Sequence, residues 1–194
     1  MDVKEAIEKR RSIREYQAKE VPKNLIDEVL DAGRLAPSGC NVQPTRYFII
    51  KDKKLKEKLR QKRAFEQDFV YQAPVIIVLC GNPKDYEKFE GVKYQQKEGT
   101  LPKNLTKIKQ SLEGLEKERI QRDISIASVF LILRATELGL GTSYAGLIDR
   151  DVLKKELNIP KEWIIPFIIL LGYPAESPKQ RPRKDLHELI LDSQ

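Results

Sequence analysis

Three observations predict an α+β fold. Three short runs rich in β-branched and aromatic residues, RYFIIK from Arg46, APVIIVLCG and PFIILLGYP, read as strands. The amphipathic helical stretches between them do not alternate regularly with these runs, which argues against a doubly wound sheet. No G-x-G-x-x-G follows a strand, and Gly139-Leu140-Gly141 follows a helix, the wrong context for a dinucleotide-binding turn.

Taken in order, Asp2 caps a first helix in which Val3, Ala6 and Ile7 share one face and which ends around Arg10. Pro22 suits the first turn of a second helix, lined by Leu25, Ile26, Val29, Leu30 and Gly33. LAPSGCNVQP is broken by Pro37, Gly39 and Pro44 and reads as a loop. After the Arg46 strand, Asp52 caps a Lys-rich helix with Leu55 and Leu59 facing inward. APVIIVLCG is a continuous apolar run, the pattern of a strand buried on both faces. Residues 82–118 are charged and irregular, and read as a surface excursion, a lid or dimer arm on one reading and an insertion without a role on the other. From Glu118 to Leu138, Ile120, Ile124, Ala127, Phe130, Leu131 and Leu138 follow helical spacing, with further apolar residues on other faces, so the helix is central or lies at a subunit interface. Gly139 ends it as a C-terminal glycine. Asp149 or Asp151 caps a further helix carrying Val152, Leu153 and Leu157. The last strand ends at a Gly-Tyr-Pro turn before a basic tail. The whole chain, 1–194, reads as one domain.

Composition narrows the function. With 36 Lys and Arg against 29 Asp and Glu, the net charge of +7 suits phosphate-bearing partners but, without a basic tract, does not select nucleic acid. Cys40 and Cys80 are the only cysteines and His187 the only histidine, so a disulfide scaffold, a zinc cluster and a histidine-dependent triad are disfavoured; His187 reads as a surface residue. The start, MDVKEAIEKRR, has no apolar signal core and no run approaches a membrane span, so a cytoplasmic protein without membrane contact is expected. No phosphate loop and no outstanding carboxylate pair is present. Demanding chemistry with so few side-chain acids and bases points to a cofactor.

The arginines make the most specific pattern. Arg10, Arg11, Ser12 and Arg14 follow the first helix, and Arg181 and Arg183 lie near the other end of the chain. Arginine forks with a serine hydroxyl suit a terminal phosphate. Basic residues after a helix also complement its dipole, so the residues alone leave both readings open.

RRSIREY…VP, APSGCNVQPTRYFII, GLGTSYAG and PFIILLGYPAESPKQRPRKDL stand in the order and spacing of the nitroreductase-like flavoproteins, and the chain resembles that family from about residue 5 to residue 190. The resemblance implies a mixed central sheet flanked by helices, an intertwined homodimer, and FMN at the subunit interface. It implies that Arg10, Arg11, Ser12 and Arg14 hold the ribityl phosphate and pyrimidine edge, with Arg181 and Arg183 completing the phosphate pocket. Pro37, Ser38, Gly39 and Asn41 resemble the loop that reaches the flavin from the partner. Ala145 and Gly146 resemble the turn whose backbone N–H faces flavin N5. Gly39 and Gly146 then permit close approach to a flat ring. Thr45 stands where the family often has tryptophan. Cys40 reads as a small buried filler rather than a redox thiol, and Gln67 as an uncertain ring contact.

The implied activity is FMN-dependent NAD(P)H oxidoreduction: hydride passes from NADH or NADPH to flavin N5, then electrons pass to a nitroaromatic, quinone or similar small acceptor. No side chain is assigned as catalytic. The alternatives are a specialised activity of the same fold, such as reductive dehalogenation or flavin destruction, and a flavin-binding protein without turnover. Glu90, Tyr94 and Lys97 resemble a dehalogenase lid only superficially.

Overall fold

The computed structural model describes residues 1–87 and 114–191. Most of the predicted 82–118 excursion, including Glu90, Tyr94 and Lys97, lies outside these residues.

The sheet forms because two runs are apolar at every position. β2 (Val75–Gly81) and β4 (Ile168–Gly172) are buried throughout and lie at the centre of the order β1-β2-β4-β3, between the edge strands β1 (Thr45–Ile50) and β3 (Gly141–Ala145). Successive side chains point to opposite faces. Ile76, Val78, Cys80, Ile168 and Leu170 therefore pack into one layer, with Leu59, Val70 and Leu153. Val75, Ile77, Leu79, Ile169 and Leu171 pack into the other, with Ile26, Val29, Ile120, Ile124 and Leu131. Helices α3 (Lys53–Gln61), α4 (Phe69–Gln72) and α7 (Arg150–Leu157) supply the first layer. Helices α2 (Lys23–Arg34) and α6 (Glu116–Glu137) supply the second. The architecture is thus α+β, with a central sheet covered on both sides.

The mixed sheet implied by the resemblance is antiparallel at each of its three ladders among the described residues. The parallel component is a single bridge, Ser12 with Thr142 on the outer edge of β3.

Local signals place most elements. Asp2 accepts the Glu5 N–H and Glu5 returns to the Asp2 N–H, a complete capping box for α1 (Val3–Lys9). Asp52 accepts the Leu55 N–H, and Asp149, not Asp151, caps α7. Helix α6 ends at Gly139, which takes φ +74. A short helix, α5 (Lys84–Glu87), follows β2.

Some expectations are corrected. GLGTSYAG contains β3, which its small and polar residues did not announce. Only Ala6 of the predicted face of α1 is buried, while Val3 and Ile7 are exposed. Of the helix read as central or at a subunit interface, Phe130 is 42% exposed and neighbours exposed Val129; α1 packs against this helix, so both elements leave apolar side chains uncovered. Lys56, hidden in a Lys-rich helix, is buried: its Nζ donates to Ala73 O (2.5 Å) and Pro74 O (2.8 Å), and burial pulls its pKa down. No helix among the described residues is long and apolar enough to cross a membrane.

Candidate functional site

The Arg10–Arg14 segment leaves α1 and runs along the outer edge of β3. Ile13 N–H donates to Thr142 O at 2.9 Å. The close approach needs a glycine beneath it: a Cβ on Gly141 would lie 2.8 Å from Ile13 Cγ1. Alternation along an edge strand turns the backbone groups of Tyr144 to the same outer side as those of Thr142, and Gly146 follows just beyond the strand. Gly146 is exposed, with nothing within 4 Å of where its Cβ would stand, whereas Ala145 is buried at the strand end. The outer edge thus offers backbone donors and an open surface beside a row of arginines.

The arginines are not equivalent. Among the described residues Arg10, Arg11, Arg14, Arg181 and Arg183 have no carboxylate partner, while Arg34, Arg46, Arg122 and Arg134 are ion-paired. Arg11, however, folds back on the end of α1, its Nη1 donating to Glu8 O (2.5 Å) and Arg10 O (2.8 Å). The helix-end reading left open by the sequence therefore describes Arg11. Arg10 lies close enough to Tyr144 for its charge to favour the phenolate, although burial, the larger influence, raises the Tyr144 pKa. Ser128 Oγ donates to Ser125 O, so in its 2.7 Å contact with Tyr144 the phenol donates. Arg14 lies 5.8 Å over the Phe69 ring, and its N–H donates to the Glu176 carboxylate at 2.5 Å.

Glu176 also accepts from the Glu15 N–H, and Ala175 N–H donates to Glu15 O. The start of the C-terminal tail is thereby fastened to the arginine segment. Beyond it Arg181 and Arg183 are exposed, and among the described residues Arg183 Nη1 reaches only Arg181 O and Pro182 O, each at 3.3 Å. The tail continues with exposed Leu186, Leu189, Ile190 and Leu191, and His187 is exposed as expected.

The Pro37–Asn41 loop is built differently. Cys40, Asn41 and Gln43 all take positive φ, and Ser38 Oγ accepts the Gln43 N–H at 2.9 Å. Gly39 N–H donates to Asp123 Oδ2 at 3.2 Å, and a Cβ on Gly39 would meet Arg122 Nη2 at 2.5 Å and Tyr86 OH at 2.6 Å. The space left by the missing Cβ is therefore filled by this chain's own side chains. Cys40 is exposed, not a buried filler, because its left-handed backbone turns it to solvent. A cavity of about 220 Å³ lies beside the loop, lined in part by Pro37, Ser38, Tyr47 and Asp123; none of Arg10, Arg11, Ser12, Arg14, Ala145 or Gly146 reaches it. Tyr47 OH is buried there without a partner among the described residues, and burial raises its pKa to about 12. A second cleft of about 750 Å³, lined by Tyr16, Lys19, Lys56, Arg60 and Tyr71, contains none of the predicted site residues. No group of residues able to hold a metal ion occurs among the described residues.

The Nitroreductase family profile matches residues 7–173. The chain belongs to the nitroreductase family. A protein of Methanothermobacter thermautotrophicus, provisionally named NADH dehydrogenase/NAD(P)H nitroreductase, is 35% identical over 197 residues, covering 99% of this chain and 87% of its own length. A Thermus thermophilus protein named NADH dehydrogenase is 30% identical over 200 residues, covering 98% and 96%. In fold, the chain is similar to an Exiguobacterium sibiricum protein, provisionally described as a nitroreductase and solved in complex with FMN: the TM-score is 0.81 at 22% identity, covering 100% of this chain and 98% of that one.

Within this nitroreductase-family chain, the segment carrying Arg10, Ser12 and Arg14 runs along the β3 edge, and the strand ends at buried Ala145, followed by exposed Gly146. The Pro37–Asn41 loop stands apart, and Arg181 and Arg183 extend along the tail. Asp123 was missed by the sequence reading. Its signal was a lone carboxylate on the face shared by Ile120, Ile124 and Ala127.

Proposed function

We propose that the chain is an FMN-dependent NAD(P)H oxidoreductase, one domain over residues 1–194, acting as a homodimer on a small acceptor such as a nitroaromatic or quinone. The observation that carries this reading is the β3 edge: the Arg10–Arg14 segment runs along it, Arg10 and Arg14 have no carboxylate partner among the described residues, and exposed Gly146 follows just past the end of the strand. Such an edge suits a flat, anionic ligand with a terminal phosphate. The names of the relatives favour nicotinamide as donor, and the FMN of the Exiguobacterium protein favours a flavin as the ligand.

When bound, FMN would supply the hydride- and electron-transfer chemistry. The chain's own residues do the rest. Arg10 and Arg14 neutralise the phosphate and the electron-rich ring edge, with Ser12 adding a hydroxyl donor. Arg181 and Arg183 close over the phosphate from the tail. The Gly146 N–H is the donor directed at the ring, and a fixed donor favours the charge that builds there on reduction. No side chain is required to transfer a proton.

The Pro37–Asn41 loop joins the site from a second copy. Exposed Val129 and Phe130 on α6 and the apolar tail supply surface for that association. The test is the absorption spectrum of purified protein, FMN release on denaturation, and stopped-flow reduction by NADH and NADPH. Yellow protein reduced by either nucleotide supports the reading. Colourless protein that FMN cannot reconstitute refutes it.

A further inference from the structure

A buried charge stands behind the Pro37–Asn41 loop. Asp123 is 1% exposed on a helix face otherwise lined by Ile120, Ile124 and Ala127. Among the described residues, three donors converge on its two oxygens. Oδ1 accepts from Arg122 Nε at 3.0 Å, and Oδ2 accepts from the Tyr86 hydroxyl and the Gly39 N–H. Arg122 Nη2 in turn donates to Tyr86 OH at 3.2 Å, and Arg119 covers the Tyr86 ring at 3.7 Å from its centroid. A carboxylate at this depth costs several kcal/mol to desolvate unless its partners are in place, so they hold one arrangement rather than several.

The contact is steric as well as electrostatic. Gly39 does not have a positive φ, so alanine is allowed there by the backbone. What excludes a Cβ is the pair of atoms at 2.5 and 2.6 Å, Arg122 Nη2 and Tyr86 OH. The loop is therefore seated directly on the network, with no spare methyl group of room. On the other side of Gly39 come the left-handed residues Cys40 and Asn41, whose conformations persist only when their surroundings hold them.

We propose that Asp123 is a positioning residue for the flavin site: with Tyr86 and Arg122 it fixes the height and register of the Pro37–Asn41 loop, and so the surface this chain offers to an FMN held by its partner copy. The role rests on the flavin reading above, yet the contact itself can be tested without FMN. Asp123 acts through Gly39, whose N–H it accepts.

The experiment is a double-mutant cycle between Gly39→Ala and Tyr86→Phe in the full chain, read by FMN titration, by visible circular dichroism of the bound flavin, and by amide hydrogen exchange across residues 38–43 of the FMN-free protein. Gly39→Ala is expected to weaken FMN binding about tenfold or more, to alter the flavin dichroism and to speed exchange in the loop. Tyr86→Phe alone weakens binding by less. Removing the Tyr86 hydroxyl makes room for the new methyl group, since the remaining clash is with the end of an exposed arginine, so the double variant should recover most of the Gly39→Ala loss. Additive losses would show that Gly39 is not seated on the Tyr86 hydroxyl, and a cycle that couples in melting temperature but leaves FMN affinity and loop exchange unmoved would reduce the contact to fold stability; either overturns the proposal. So does unchanged exchange and unchanged FMN affinity in Gly39→Ala. Should Gly39→Ala fail to fold, Asp123→Asn keeps the shape and loses the charge. It is expected to speed exchange at Gly39 and weaken FMN binding, and wild-type values of both would overturn the role. Wild-type protein that never binds FMN defeats the functional reading, whereas the exchange cycle still decides whether the network holds the loop.

Discussion

Arg10 and Arg11 are adjacent in sequence and should fail in opposite ways when replaced by alanine. Arg11 Nη1 is engaged by Glu8 O and Arg10 O at the end of α1, where a cation is worth about 0.3–1 kcal/mol to the helix. Losing it should lower the melting temperature of a chain of this length by about 1–4 °C. The loss in FMN affinity should be small, because that fork faces carbonyls rather than the open edge. Arg10 has no such partner among the described residues and stands near Tyr144 on the edge. If Arg10 holds FMN as proposed, removing it should cost about 1.5–3 kcal/mol of FMN binding, about ten- to a hundredfold in Kd, with little change in melting temperature of the FMN-free protein. Quenching of FMN fluorescence on titration gives the affinities, and melts of FMN-free protein give the stabilities. Equal loss of FMN affinity in both variants, with Arg11→Ala melting like wild type, would refute the assignment of Arg11 to the helix end.

Three further outcomes are expected. Phe130→Glu places a charge on the uncovered face of α6 and should convert a dimer of about twice 22.4 kDa into a monomer that has lost FMN; a 22.4 kDa wild-type particle with tightly bound FMN contradicts the shared site. Arg183→Ala should weaken FMN about ten- to a hundredfold if the tail closes on the phosphate, and unchanged affinity would reduce Arg183 to a surface charge. Glu156 is held by Lys58 and Lys62, whose hydrogen bonds depress its pKa to about 2 from 4.5. A depressed folded-state value means that this stabilisation is fully present above the ordinary carboxylate pKa and drains as pH falls from about 4.5 towards about 2. Glu156→Gln should therefore flatten the fall in melting temperature over that window while changing FMN affinity little; an unchanged acid limb contradicts the clamp.

The elements legible in the sequence were those whose signals are local. Asp2, Asp52 and Asp149 announce helix starts because each cap bonds residues only two or three positions away. β2 and β4 are legible because both faces of each are buried, leaving unbroken apolar runs. β3 was hidden because Gly141, Thr142 and Ser143 have no strand signature; it is a strand because β4 pairs with it and Ile13 lies across it. The first arginine cluster was visible as a pattern, but the separate duty of Arg11 depends on how its side chain folds back. The reason for a glycine at position 39 was not legible either: it lies in Arg122 and Tyr86, brought to the loop by tertiary packing.

The central place of β2 carries a consequence for how the chain is made. Its first neighbour, β1, precedes it in sequence, so that edge can be covered as soon as Gly81 has left the ribosome. The other edge awaits β4, which begins only at Ile168. At about 5–20 residues per second, synthesis leaves that edge without its native partner for about 4–17 s. Throughout that interval Val75–Cys80, uncharged and rich in β-branched residues, is a template on which another nascent chain can pair. Yield of soluble protein should therefore depend on the crowding of nascent chains as well as on the stability of the finished fold, and slower initiation or an added holdase should raise it without any change in sequence.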